Sequence, residues 1–505
     1  MKKDKGDVPA YMQQNSIFDL SSEERQELGA YLLGQIDYYL SHTDEVDVSP
    51  ELNLDSIVQH ARKFSFDHPI PAREAIDHTM EGLMQYQVHT PHPRYFGLFN
   101  PRPNFMGIIA DMITAAYNPQ LAAWSHAPIA VEIENYVWKE FASKFGFHDE
   151  HSDGTFTTGG AEANLTALLT ALMHHFPEYA RKGLIGINRK PILYASAESH
   201  HSLVKAARSC GLGTDSIHLI QTNASLQMDT KILEKQIEED RSNGLYPFMV
   251  VATGGTTGAG AIDPIHDIAD LANREKLWLH VDAAYGGAAL FDPGLFERLH
   301  GIHRADSITF DAHKWLSVPM GAGIYLTRHK DILNKTFSIT ADYMPKEGGE
   351  LETNDPYTHS IQWSRRFIGL KVYLSLLTAG WEGYRKMIQH QVAMGNLLRK
   401  ELIKSNWTIM NDTVFPVVCF TDSNGHVSSD PDFVPYIGNQ IVRSGQAWIS
   451  IYGMNKTQTL RACITNYDTT EQDVMVLVEL LNRARNEFLE NKQTNASVAL
   501  VEKPE

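Results

Sequence analysis

Hydrophobic and polar positions alternate in two rhythms along this chain, and the change of rhythm marks its parts. From Ser21 to about Met84, apolar residues recur every three or four positions, the spacing of helices. Ser21-Ser22-Glu23-Glu24 predicts the first helix start, because a hydroxyl can cap the free amides and glutamates favour the first turn. Residues 1–20 read as a loose lead-in. The segment His92-Pro93-Arg94-Tyr95-Phe96-Gly97-Leu98-Phe99-Asn100-Pro101 fits neither period. Aromatic and punctuated by proline, it predicts an irregular stretch of the kind that walls a site or packs as a loop. Helical spacing returns from Ile129 to Phe147.

Between about 155 and 327 short β-rich runs take over: Ile192–Ala195, Phe248–Thr253, Leu277–Asp282, Ser307–Phe310 and Gly323–Thr327. Helical stretches separate several of them, at Ala161–His175, Ser202–Cys210, Thr230–Ser242 and Ile265–Glu275. This alternation predicts an α/β fold with a mostly parallel sheet covered by helices, in which ligands gather at the carboxyl ends of the strands. After Trp363 a long helical region runs to about Lys404. The tail then reads as strand (Val414–Thr421), helix (Val434–Arg443), two strands (Ala447–Tyr452 and Thr459–Ile464) and a last helix opened by a capping box at Thr469-Thr470-Glu471-Gln472. The expected organisation is a helical N-terminal segment over 1–115, a large α/β domain over 116–385 and a smaller C-terminal α/β domain over 386–505.

Composition narrows the function classes. The 505 residues are 43% hydrophobic and 21% charged, as in a globular protein. A net charge of −17 argues against nucleic acid or an anionic membrane as partner. No apolar stretch follows Met1-Lys2-Lys3, which predicts no secretory signal, and no apolar run is long enough to span a bilayer. Cys210, Cys419 and Cys463 are odd in number and far apart, so neither a disulfide framework nor a metal site is expected. A cytoplasmic location follows from these readings. No Gly-Lys pair occurs anywhere, which removes the Walker loop, and no Gly-x-Gly-x-x-Gly stands at a strand–helix junction.

Four places at or beyond strand ends carry candidate chemistry. Thr157-Thr158-Gly159-Gly160-Ala161-Glu162-Ala163-Asn164 leads into a helix, and its small residues let backbone amides approach a phosphate. Asp282 ends the strand Leu277–Val281 and is followed by Ala283-Ala284-Tyr285-Gly286-Gly287. A buried carboxylate needs a partner, and a protonated pyridine nitrogen is one. Lys314, in Asp311-Ala312-His313-Lys314-Trp315, follows an apolar strand, where desolvation favours a neutral amine able to attack an aldehyde. Ser196-Ala197-Glu198-Ser199-His200-His201-Ser202 follows another strand. An imidazole there suits stacking on an aromatic cofactor, with His200 and His201 both open.

In this order, these motifs resemble the group II pyridoxal-phosphate (PLP)-dependent amino-acid decarboxylases, a branch of the aspartate-aminotransferase-like fold. The likeness runs from about His92 to Asp473. Its most specific parts are His280–Gly287 and Asp311–Trp315, supported by Ala252–Gly258 and Trp363-Ser364-Arg365-Arg366. The resemblance implies fold type I with a mostly parallel, seven-stranded-type sheet, and carboxy-lyase activity releasing CO2 from an L-amino acid. It implies that Lys314 carries PLP as a Schiff base, that His200 rather than His201 stacks on the ring, and that Asp282 faces the ring nitrogen above Ala284. Gly160, Ala161 and His313 would lie at the phosphate and Thr256 near the ring's substituents. Tyr343, in the loop Ile339–Gly349, falls where family decarboxylases carry a proton-donating tyrosine; aldehyde-forming relatives have phenylalanine there. Several relatives carry Asn in place of Asp311, and a carboxylate beside a phosphate is repulsive, so Asp311 is not assigned to phosphate binding. The apolar run at Phe99, with Trp124 and the stretch around it, favours an aromatic substrate. Arg461 is a candidate partner for a carboxylate in more than one branch. Acidic amino acids and diaminobutyrate remain alternatives, as do transamination and aldehyde formation. Relatives are homodimers with the site at the subunit interface. The expected partners are therefore an amino-acid substrate and a second copy, with no nucleic acid, membrane or metal.

Overall fold

The computed structural model describes residues 20–148, 150–339, 354–454 and 457–501. The chain divides into two compact units after His89. The first unit holds three helices, α1 (Ser22–Ser41), α2 (Leu54–Ala61) and α3 (Ala72–Gln85). Ser21 caps α1 as its sequence predicts: the Glu24 amide donates to the Ser21 hydroxyl and the Ser21 amide to the Glu24 carboxylate. Leu32, Ile36, Ile76, Met80 and Leu83 line an open apolar cleft of about 550 Å³ between α1 and α3.

The second unit is built on a seven-stranded sheet. Its strands are β1 (Asp153–Thr157), β2 (Pro191–Ser196), β3 (Ile217–Ile220), β4 (Tyr246–Thr253), β5 (Trp278–Asp282), β6 (Ser307–Asp311) and β7 (Gly323–Thr327). They lie in the order β1-β7-β6-β5-β4-β2-β3, and only β7 runs antiparallel to its neighbours. Both faces are covered, so β4 and β5 are buried almost end to end. The apolar runs predicted as strands are all present. Two strands of this sheet escape that reading: β1 has no aliphatic β-branched residue, and β3 is only four residues long.

Helix α4 (Gly160–His175) packs against β6 and β7. The long helix α5 (Gly369–Lys404) is broken at Gly380, whose φ of +64° only glycine adopts freely. Ile388 on α5 joins the core of the large sheet, whereas Leu398 and Leu402 join that of a second, four-stranded antiparallel sheet. That sheet comprises β8 (Trp407–Ile409), β9 (Val417–Asp422), β10 (Ser450–Met454) and β11 (Thr457–Cys463), in the order β10-β11-β9-β8. β9 begins three residues later than its apolar pattern, just after Pro416, which has no amide to give to a ladder. The last helix is capped one position later than expected. The Asp473 amide donates to the Thr470 hydroxyl, and the Thr470 amide to the Asp473 carboxylate. No helix among the described residues is long and apolar enough to cross a membrane.

Candidate active site

The β-strand period of two assembles the site. On β5 it sets Trp278, His280 and Asp282 on one face; on β6 it does the same for Ser307, Thr309 and Asp311. The register pairs His280 with Ser307 and Asp282 with Thr309. The opposite face carries Leu279, Val281, Ile308 and Phe310, which belong to the apolar core. Two adjacent strands thus present a polar ladder that ends in two carboxylates at the carboxyl edge of the sheet, where α4 begins.

Asp282 is 7% exposed. The Asn164 side-chain amide donates to its Oδ2 at 2.7 Å, and the Ala284 amide to its Oδ1 at 3.1 Å. Asn164 comes from α4, on the same helix as the candidate phosphate loop. Lys314 follows β6, and its Nζ lies 3.2 Å from Asp311 Oδ2. The same Oδ2 accepts from the Gly160 amide at 3.0 Å, and His313 Nε2 stands 3.8 Å away. Asp311 is therefore the point where the lysine segment and the first turn of α4 meet. Gly160 must be small: a Cβ there would lie 2.9 Å from Asp311 Oδ2 and 3.3 Å from the Ala284 Cβ. Gly159, the N-cap of α4, offers no side chain to the first-turn amides.

The two histidines are held as neutral rings. His313 accepts the Ala322 amide on Nδ1 at 3.1 Å, and burial, opposed by Asp311, lowers its pKa. His200 accepts the Ser202 amide on Nδ1 at 3.2 Å. Desolvation lowers its pKa and the Asp282 charge partly restores it, with Lys314 pushing it down. His200 thus feels both Asp282 and Lys314. Thr256 is buried; its hydroxyl accepts from the Ala261 amide at 3.0 Å and its own amide donates to Ala261 O, pinning the loop after β4.

The expected substrate residues divide. Phe99 stacks on Tyr285 at 3.8 Å between centroids, and Tyr285 on Trp315 at 4.9 Å, so this aromatic column stands beside the Asp282 and Lys314 segments. The Arg461 guanidinium sits 5.1 Å over Phe99. Its Nε donates to Gly258 O and its Nη1 to Gly97 O, while its buried Nη2 has no hydrogen-bond partner among the described residues. That unspent donor suits an anion. Trp124 is placed elsewhere: its indole donates to Glu132 Oε1 at 2.8 Å and its amide to Asp355, against an apolar cluster with Leu121 and Val131. Tyr343 lies outside the described residues. In the Trp363–Arg366 motif, Arg365 proves to be the buried partner of Glu134, with Nη2 2.6 Å from Oε2.

These residues fit PLP. A buried carboxylate suits a protonated ring nitrogen, an amine stands at the strand end, and the glycines at the start of α4 would let backbone amides approach a phosphate, the Gly160 amide once released by Asp311. Sequence reasoning missed Asn164, Thr309 and the roles of His280 and Ser307. Their signal was the polar alternation in Trp278-Leu279-His280-Val281-Asp282 and Ser307-Ile308-Thr309-Phe310-Asp311.

Comparison with known proteins follows the same lines. Residues 59–422 match the pyridoxal-dependent decarboxylase conserved domain. The aromatic-L-amino-acid decarboxylase of Bacillus atrophaeus is 30% identical over 466 residues, 91% of this chain and 95% of that protein. The acidic amino acid decarboxylase GADL1 of Mus musculus is 34% identical over 343 residues, 67% of this chain and 62% of that protein. In fold, the chain is similar to Oryza sativa TDC with PLP and tryptamine, at a TM-score of 0.88 and 23% identity over 94% of this chain and 100% of that one.

Proposed function

The chain belongs to the pyridoxal-dependent decarboxylase family, and we propose that its substrate is an aromatic L-amino acid, converted to the corresponding amine and CO2. That it is a PLP-dependent amino-acid decarboxylase rests on the family match; the substrate is the open part. Bound PLP supplies an electron sink for the bond to the departing carboxylate. The chain's own residues supply the rest. Lys314 is the attachment point and the amine that frees the product. Asp282 would hold the proton on the ring nitrogen, and His200 would stack on the ring. Gly160, Ala161 and His313 would hold the phosphate, and Thr256 and Ala284 would contact the ring. Tyr343 protonates Cα.

The observation that supports an aromatic side chain is the buried column of Phe99, Tyr285 and Trp315 beside Asp282 and Lys314. A charged side chain against such a wall would lose its hydration without gaining a partner. Arg461 favours a second reading: its Nη2, without a hydrogen-bond partner among the described residues, suits a side-chain carboxylate as well as an α-carboxylate. The similarity to GADL1 points the same way. A homodimer and a cytoplasmic location complete the proposal. The apolar cleft between α1 and α3 is the surface a second copy would cover, and three free cysteines suit a reducing compartment.

The test is a panel of L-amino acids assayed for CO2 and organic product, with Lys314→Ala as blank. Tryptophan, tyrosine or phenylalanine should give equal CO2 and amine. Preference for glutamate, aspartate, cysteine sulfinate or diaminobutyrate would replace the aromatic reading.

A further inference from the structure

Behind Asp282 lies an unbroken row of buried side-chain hydrogen bonds. Trp278 Nε1 donates to Ser307 Oγ at 2.8 Å, and Ser307 Oγ lies 2.8 Å from His280 Nδ1. His280 Nε2 is 3.0 Å from Asn164 Oδ1, and Asn164 Nδ2 is 2.7 Å from Asp282 Oδ2. Thr309 Oγ1 donates to Asn164 Oδ1 at 2.9 Å. Trp278, Ser307, His280, Asn164 and Thr309 are each 1% exposed or less.

We propose that this row is a proton-fixing chain that holds Asp282 as an ionised acceptor, and so keeps the cofactor's ring nitrogen protonated. The inference rests on the reading of Asp282 as the partner of that nitrogen.

The two ends of the row determine its middle. An indole N–H only donates, and an ionised carboxylate only accepts. Asn164 must therefore turn its amide nitrogen to Asp282, since the flipped amide would set oxygen against oxygen at 2.7 Å. Its Oδ1 then faces His280 Nε2, which must carry the ring proton. His280 Nδ1 becomes an acceptor and takes the Ser307 hydroxyl, whose oxygen is already occupied by Trp278. With Asp282 ionised, one tautomer, one amide orientation and one hydroxyl rotamer satisfy every group. Burial pushes the His280 pKa down to about 4, so the ring stays neutral and brings no second charge. Asn164 also donates to Ser202 Oγ at 2.9 Å, beside the His200 loop. Asp282 is left with Oδ1, held at 3.1 Å by the Ala284 amide, and the remaining lone pairs of a carboxylate that cannot easily turn. Such aligned bonds in a low-dielectric interior reinforce one another.

The experiment compares two cofactors on the same protein: PLP and its 1-deaza analogue, in which C–H replaces the ring nitrogen. Dissociation constants are measured by absorbance on cofactor-free wild type, Asn164→Leu, His280→Gln and Ser307→Ala. Wild type should prefer PLP by about 10- to 100-fold, the range for a charge-assisted bond. Asn164→Leu and His280→Gln should bring the two constants within about threefold, and Ser307→Ala, which removes only one hydroxyl, should fall between. A role confined to packing would weaken both cofactors equally and leave the preference intact; that result overturns the inference. If wild type itself shows no preference, Asp282 does not face the ring nitrogen and both readings fall. Circular dichroism identifies any variant that fails to fold, and Ser307→Ala, the smallest change, then decides.

Discussion

Replacing Asp311 with asparagine should tighten PLP binding. Asp311 Oδ2 accepts from the Gly160 amide at 3.0 Å and faces Lys314 Nζ at 3.2 Å. These are the amide of the candidate phosphate cradle and the amine of the attachment point. An incoming phosphate meets a like charge and must compete for the same N–H. Two unit charges about 5 Å apart repel by roughly 3 kcal/mol at an effective dielectric near 20. Lys314, whose side chain is 20% exposed, offsets part of this, which leaves about 1.5 kcal/mol, or about tenfold in dissociation constant. Asparagine keeps an oxygen for the Gly160 amide and removes the charge. The assay titrates cofactor-free protein with PLP by visible absorbance, in parent and Asp311→Asn, at low and high salt. The gain should be about tenfold and should shrink with salt. A variant that binds PLP tenfold more weakly would refute the reasoning, because Asp311 would then hold the cofactor site together rather than oppose its ligand.

Other outcomes follow from single groups. Tyr343→Phe should raise the ratio of aldehyde to amine, read by chromatography together with peroxide; an unchanged ratio would remove Tyr343 as the Cα proton donor. Arg365→Met strands Glu134, a buried carboxylate bonded to the Gly369 amide at 2.9 Å, and should cost about 3–5 kcal/mol of stability in thermal or denaturant melts. A loss under 1 kcal/mol would show that Glu134 finds another partner. Asp153 is raised to about 7 by burial, so the folded chain holds a proton that the unfolded chain releases near pH 4. The penalty grows as pH rises from about 4 to 7. The Tm advantage of Asp153→Asn should therefore be small at pH 4 and greatest above pH 7; an advantage constant with pH refutes it.

The parts of the site that share a local pattern were legible before the structure. Glycines before a helix, an acid at the end of an apolar strand and a lysine just past another are short-range features, and Gly160, Asp282 and Lys314 stand where those patterns put them. The Ser21 cap was legible for the same reason, since its partners lie three residues apart. Arg365 was visible as a motif but not as the partner of Glu134, 231 positions away. Trp124 and Phe99 were read together as substrate residues, yet only Phe99 lies in the column with Tyr285 and Trp315.

What the sequence determined by itself was the alternation of elements, the α/β class and the types of group at strand ends, because periodicity and turn chemistry act over a few residues. What only the tertiary structure decided was who faces whom. The register of β5 on β6 lines up His280 with Ser307 and Asp282 with Thr309, and the packing of α4 brings Asn164 across to close the row. Asp311 shows the same division. Its charge and its neighbour Lys314, three residues on, are plain in the sequence, but its hold on the Gly160 amide depends on the β6 segment and the start of α4 converging at one edge of a sheet. Hydrogen bonds and charges act over a few ångströms in space, and chain distance carries no information about those separations.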